Sequence, residues 1–448
     1  MTTDSAPPET GANRPGWVVF MMTLLMMFSF LDRGLLALLV EPVKEDLGIN
    51  DTQMSLLLGF AFASFYALLG VPFGILADRG SRVRLIGFGL FLWTVATALS
   101  GRAQSFFSLF LLRMGVGVGE ATLGPAAPSI ITDSVPRERL ATSMSIYATG
   151  IYIGSGLATM LGGGIAAVTM RIGEVTVPVI GLVKPWQMVF LLVGVAGFLP
   201  LLLLITTLKE PARRGSGATE PPPKLAQTLA HYRQHRKTIL WHHVGFATLA
   251  FSGYGVGSWL PAFMIRRHGW SIEKVALWLG LNGIVTAVVG VLAGGMLADA
   301  LVRRGRTDGK LIVAVLGGVL WFPFGIAYPL VESDVLSMAA IAAATFCATL
   351  GIGCAIATLQ EIMPNRMRGQ AAAFYAVIAN FFGLGFGPLV VALITDRVLG
   401  DPAQIGTSLL VVGVVAHVIA AIALLLALKP YRRSLERVDF KAAAASST

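Results

Sequence analysis

The chain has 448 residues, 55% of them hydrophobic and 13% charged, with a mean hydropathy of +0.74. No soluble domain of that length buries so much apolar surface, so the long uncharged runs read as bilayer spans. The net charge of +10 does not point to nucleic acid, because the basic residues fall in short connections between apolar runs.

Residues 1–16 are polar and rich in proline and read as disordered, with no signal peptide, since the first apolar run is long and lacks a small-residue cleavage site. Helices are then predicted near 17–40, 54–76, 83–101, 105–133, 141–168 and 185–207. Residues 208–238 form the longest hydrophilic connection, with Pro221, Pro222 and Pro223 followed by Leu225, Leu229, Tyr232 and several basic residues. This pattern predicts a linker carrying a short amphipathic helix on the membrane surface. The second series is predicted near 239–265, 273–299, 310–330, 335–361, 368–396 and 405–428, leaving 429–448 as a tail.

An even number of spans places both termini on one side. That side holds 24 of the 34 Lys and Arg residues, the other holds eight, and two lie within spans. The bias puts both termini in the cytoplasm, in a multi-pass protein of a bacterial inner membrane.

The halves repeat. Gly74-Ile75-Leu76-Ala77-Asp78 returns as Gly295-Met296-Leu297-Ala298-Asp299 at an offset of 221, and basic residues follow both. Pro136-Arg137-Glu138-Arg139 is matched by Pro364-Asn365-Arg366-Met367-Arg368 at an offset of 228. The fold class is therefore all-α integral membrane, with twelve transmembrane helices in two pseudo-symmetric six-helix bundles, 17–207 and 239–428.

Four ionisable residues fall well inside spans: Asp32, Arg33, Arg113 and Glu120. Each costs about 2.5–3.5 kcal/mol at a helix centre on insertion scales, an expense that calls for partners or water. Arg113 and Glu120 are seven residues apart on one helix face, about 10 Å along the axis. A carboxylate in a low-dielectric cavity resists ionising, and a nearby Arg opposes that shift. Asp32 and Glu120 are the proposed proton-titrating groups. Arg33 and Arg113 are their charge partners or bind an anionic headgroup. The second half supplies no full charge at that depth; Tyr254, Ser258, Trp259, Asn282, Gln360, Tyr375 and Asn380 are its candidate cavity residues. A charged wall facing an apolar one suits an amphiphile.

Gly74-x-x-x-Asp78-Arg79-x-x-Arg82 resembles the loop signature of the major facilitator superfamily. The resemblance implies a cytoplasmic gating network of Asp78, Arg82 and Asp133 that steadies an outward-facing state. Its second-half counterparts would be Asp299, Arg303 and Glu361. Phe30-Leu31-Asp32-Arg33, and Arg113 through Ala121 followed by Pro125, Pro128 and Asp133, resemble the spinster family of lipid transporters. Related bacterial carriers of organic anions share the Arg and the Glu-Ala of the fourth helix. The resemblance implies a proton-coupled transporter working by alternating access on a lysolipid-like or sphingolipid-like amphiphile. A small organic anion is the alternative substrate, and a membrane receptor or enzyme a remote one. It also implies a monomer.

No catalytic triad element, metal cluster or phosphate-binding loop is present in the sequence, so no cofactor is expected. Protons are the expected coupling ion, with sodium left open. His242 and His243 read as interfacial. Cys347 and Cys354 read as inert thiols on one helix. Small-residue pairs four apart at Gly70/Gly74, Gly150/Gly154, Gly290/Gly294 and Gly383/Gly387 are expected to line the seam between the halves.

Overall fold

The computed structural model describes residues 14–178, 181–213, 225–364 and 367–446. Residues 1–13, most of the segment expected to be disordered, lie outside that set. Twelve long helices carry the fold. The first half is α1 (Pro15–Leu38), α2 (Asp51–Ala77), α3 (Arg82–Ser100), α4 (Phe106–Ser134), α5 (Arg137–Ile172) and α6 (Pro185–Thr207). The second half is α7 (Arg236–His268), α8 (Ile272–Arg303), α9 (Gly309–Leu330), α10 (Asp334–Ile362), α11 (Arg368–Leu399) and α12 (Ile405–Ser446).

Among the described residues, eleven helices are long and apolar enough to cross a membrane. The exception, α7, has ample length at 33 residues, but its polar side chains dilute its hydropathy. α12 runs well past the predicted end at 428. Pro430 removes one backbone donor without stopping the helix, whose extension packs through Tyr431 and Ser434.

Several short elements join the spans. A helix Val40–Leu47 links α1 to α2, and a hairpin of β1 (Val175–Val177) and β2 (Gly181–Val183) links α5 to α6. Lys184 pairs with Asp46, which also accepts a 2.8 Å bond from Trp186 Nε1. Between the halves lies a helix Leu225–Gln234.

The helix ends carrying Arg82, Lys209 and Lys310 define a basic face. Asp51, Arg266 and Asp396 mark the opposite face. Each half has its own apolar core toward the basic face: Met21, Leu25, Phe62, Trp93 and Ile130 in the first, Phe246, Leu311, Leu359 and Leu424 in the second. A further cluster spans both halves, joining Leu35, Leu39, Leu57 and Trp186 to Trp259, Phe263 and Val391. Leu384 of α11 joins the first-half cluster, with Tyr254 packed against it, but the larger shared core lies toward the opposite face.

Polar contacts close that same end. Arg266 of α7 donates to Glu41 at 2.7 Å and to both oxygens of Asp51 at 2.6 and 2.8 Å. Lys44 also pairs with Asp51. The backbone N–H and the hydroxyl of Thr52 both reach Asp396 at 2.6 Å.

Backbones touch below this clasp. A Cβ on Gly59 would sit 1.9 Å from the Leu384 carbonyl oxygen, so this approach of α2 to α11 admits glycine alone. A Cβ on Gly156 of α5 would sit 2.1 Å from Ile284 of α8. Nearer the basic face the seam opens: nothing lies within 4 Å of a Cβ on Gly70, about three turns along α2 from Gly59. The molecule is open toward its basic face. The seam helices α2, α8 and α11 each carry π-helical turns, at Leu56–Phe60, Asn282–Thr286 and Ala379–Phe386. Such turns spend a residue without advancing the helix fully and let one helix be re-aimed against another.

This geometry corrects the expectation for the glycine pairs. Gly150 and Gly154 pack on Met26 and Met27, Gly290 and Gly294 on Phe346 and Leu350, and Gly383 and Gly387 on Ala250 and Phe251. All three contacts lie within a half. Four-residue spacing marks a face that tolerates close approach, but it does not say which neighbour approaches. Gly59→Ala is expected to loosen the closed end. The measurement is modification by a membrane-impermeant maleimide of a cysteine placed at buried Ala392, in the shared core of the closed end; an unchanged rate would show the contact to be dispensable.

Candidate functional site

α1 delivers Ser29, Asp32 and Arg33, α3 delivers Thr97, and α4 delivers Arg113 and Glu120. Ser29 and Arg33 are one turn apart and share a face. Glu120 Oε2 receives the Ser29 hydroxyl at 2.5 Å and Arg33 Nε at 2.7 Å, and Arg33 Nη2 lies 2.7 Å away. The Arg33 guanidinium stands 4.3 Å from the Phe62 ring centroid, 4.7 Å from Phe30 and 5.0 Å from Tyr66. Three ring faces and one carboxylate thus hold this cation within the half.

The second pair is looser. Asp32 Oδ2 accepts from the Thr97 hydroxyl at 2.8 Å, whereas Arg113 Nη1 stays 3.9 Å away, beyond hydrogen-bond reach. Asp32, Arg113 and Glu120 are each about 1% exposed. Among the described residues, Asp32 Oδ1, Glu120 Oε1, and Arg113 Nε and Nη1 are buried without a hydrogen-bond partner. The structure therefore brings together all four charges read from the sequence, and adds Ser29, Thr97, Phe30, Phe62 and Tyr66. Phe30 was read only as part of the motif around Asp32, and the other four gave no signal, because hydroxyl and aromatic residues are ordinary in spans.

Glu120 sits at a break. α4 is helical over Phe106–Glu120, turns at Ala121 and Thr122, and resumes over Leu123–Ser134. α10 breaks likewise between Thr349 and Ile352. The breaks correspond at an offset of 229, Ala121 to Leu350, which agrees with the repeat. Thr349 then occupies the place of Glu120, so the second half keeps the interrupted helix without its carboxylate. Discontinuous helices at midplane are where transporter folds build their sites.

Other second-half candidates scatter. Tyr254 donates to Asn380 at 3.4 Å, Asn282 to Thr345 at 3.0 Å, and Trp259 is fully buried on the Pro388 carbonyl at 3.0 Å. His242 and His243 are buried rather than interfacial, 2% and 7% exposed. His242 Nε2 lies 2.8 Å from the Ala355 carbonyl.

At the basic face Arg82 is buried. It pairs with Asp133, donates to Ser129 at 2.8 Å, to Glu210 at 2.8 Å and to the Pro211 carbonyl at 2.9 Å. All these partners belong to the first half or to the chain just after α6. Among the described residues, the Arg82 contacts therefore stay on the first-half side in a molecule open on this face. The Asp78 side chain lies outside the described residues. Glu210 was missed because it falls in a connection read only for its basic residues. In the second half, Glu361 pairs with Lys310 and Tyr431 instead of Arg303.

Burial disfavours the charge on Glu210, yet the Val83 backbone N–H, the Arg82 guanidinium and the Ser81 hydroxyl together hold its pKa below the usual 4.5. Its stabilisation is therefore complete at neutral pH and is lost as pH falls below 4.5 through the depressed folded value. Glu210→Gln is expected to flatten that acid limb of a detergent thermal-stability profile. An identical limb in the variant would remove Glu210 as its source.

The family model of the Major Facilitator Superfamily matches residues 22–388. The chain belongs to this superfamily and is a multi-pass membrane transporter, not an enzyme. It is 28% identical to an MFS-type efflux pump of Mycolicibacterium smegmatis over 95% of both chains. It is 27% identical to protein spinster homolog 1 of Xenopus tropicalis over 85% of this chain and 73% of that one. Against a probable L-galactonate transporter of Escherichia coli, identity is 23% over 83% and 82%. Among solved structures it is similar to a bacterial homolog of the human lysosomal transporter Spinster, captured inward-facing and unoccupied. The TM-score is 0.77 at 26% identity, covering 94% and 97% of the two chains.

Proposed function

We propose that this transporter couples proton movement to alternating-access transport of an anionic or zwitterionic lysolipid-like amphiphile. The observation that carries the reading is the bare oxygen on each buried carboxylate. Asp32 Oδ1 and Glu120 Oε1 have no hydrogen-bond partner, while the second oxygen of each is held. A proton can add to either without breaking an existing bond, and it removes a costly buried charge. Protonation of Glu120 weakens its hold on the donors of Arg33, so an anionic group can compete for them while the cage of rings keeps the guanidinium in place. The spinster likeness and the lack of charge opposite favour an amphiphile, headgroup on Arg33 and Arg113, tail against the second half. Phe381, Phe382 and Phe386, whose rings pack within 5.4–6.1 Å of one another, offer such an apolar wall.

In this reading the basic face is cytoplasmic, both termini lie there, and the protein works as a monomer in a bacterial inner membrane. The likeness to an L-galactonate transporter supports a second reading, a small organic anion carried by the same charges. Uptake into proteoliposomes separates them. Labelled lysophospholipid and labelled hexonate are offered under an imposed pH gradient, and again under a sodium gradient. Lipid uptake driven by protons supports the first reading. Hexonate uptake alone selects the second, and sodium-driven uptake overturns the proton.

A further inference from the structure

We propose that the basic-face rim of the second half holds anionic phospholipid headgroups, in a site built jointly by the linker helix Leu225–Gln234 and the extension of α12. The junction between the linker helix and α7 meets the α12 extension at Ser434, whose Oγ lies 2.9 Å from Nδ1 of His235, the residue after the linker helix, and 2.8 Å from Oγ1 of Thr238 in α7. One face of the linker helix is tied to the body of the protein. Thr228 donates to Gln370 at 2.6 Å, His231 Nε2 lies 2.8 Å from the Ile362 carbonyl, and Tyr232 packs against Phe374.

The other face is unpartnered. Leu225 and Leu229, one turn apart, are 54% and 51% exposed. Exposed Arg233, Arg236 and Lys237 follow, and then the aliphatic surface of α7 begins at exposed Leu240. α12 shows the same transition in the reverse chain direction: exposed Ile422, Leu425 and Leu426 give way to exposed Lys429 and Arg433. Both transitions lie within two turns of the Ser434 contact, so apolar surface ends and positive charge begins at one level on two neighbouring elements.

Among the described residues, Arg233, Arg236, Lys237, Lys429 and Arg433 pair with no carboxylate, whereas Arg432 is committed to Asp308 at 2.8 Å. Five unmatched cations beside two sideways-facing leucines complement the phosphates and upper acyl chains of an anionic leaflet. A bias that only set topology needs neither the leucines nor the clustering on one rim. This surface is separate from the Asp32–Glu120 site and stands whichever substrate is carried.

The test is hydrogen exchange of full-length protein in nanodiscs of phosphatidylcholine alone or mixed with phosphatidylglycerol. Exchange over 225–240 is expected to slow on the order of tenfold with phosphatidylglycerol. The effect should weaken at high salt and vanish in the combined variant Arg233→Gln, Arg236→Gln, Lys237→Gln. Exchange within α1 reports that the variant is folded. Equal exchange in both lipids overturns the proposal, as does a phosphatidylglycerol effect that survives in the folded variant.

Discussion

Arg266→Ala is expected to move the molecule toward a state open on the face opposite the basic one. Arg266 is the one α7 side chain described here that reaches the Val40–Leu47 and α2 region with three charge-assisted bonds, and its side chain is only 8% exposed. Removing one member of a buried ion pair typically costs about 3–5 kcal/mol; Lys44 still pairs with Asp51 and holds the cost to the lower part of that range. Here the cost falls only on the closed arrangement, because Glu41 and Asp51 regain water when the ends part. A bias of about 3 kcal/mol is a substantial part of the ~5.5 kcal/mol that inverts a two-state population from 1:99 to 99:1. Spin labels at Glu45→Cys and Arg267→Cys sit on opposite halves at exposed sites. Their separation should lengthen in the variant. If the folded variant keeps the wild-type distance, the apolar cluster and the Gly59 contact suffice to hold this end shut.

Glu120→Gln is expected to abolish accumulation driven by a pH gradient while leaving exchange of labelled for unlabelled substrate. One pH unit is worth 1.36 kcal/mol per proton, about tenfold accumulation for a single coupled proton. A glutamine keeps the oxygen that Ser29 and Arg33 donate to, but it cannot take up the proton. The wild type should therefore concentrate substrate and the variant should only equilibrate it. Retained concentration in the variant would move the coupling proton to Asp32 alone. Glu120→Ala serves as a contrast, because it also strands the buried Arg33 and should destabilise the fold by about 3–5 kcal/mol.

The spans, the repeat and the four intramembrane charges were legible because each violates a strong expectation. A charge inside a bilayer is costly enough to be rare, so Asp32, Arg33, Arg113 and Glu120 stand out in any apolar run. Arg266 and Glu210 were not legible for the converse reason: charges at helix ends are common, and only packing reveals which are buried. Gly59 and Gly156 were hidden among many glycines, since the approaching backbone belongs to the other half of the chain. The continuation of α12 past Pro430 was not legible because the apolar run ends at Leu428 and a proline follows. Tertiary contacts at Tyr431 and Ser434 overrode that signal.

The matched breaks in α4 and α10 bear on how such a protein changes its cargo. A duplicated six-helix unit has kept its interrupted helix in both copies but its carboxylate in one, with Thr349 standing where Glu120 stands in the other. On the proposed reading the proton groups and the headgroup cations both reside in the first copy, and the second copy supplies the wall that meets the rest of the cargo. Drift in the second copy can retune what is carried without disturbing the machinery that powers the cycle. On the proposed reading, a chimera joining this first half to the second half of a relative would keep this chain's driving ion and headgroup preference and take its preference for the apolar part of the cargo from the other parent.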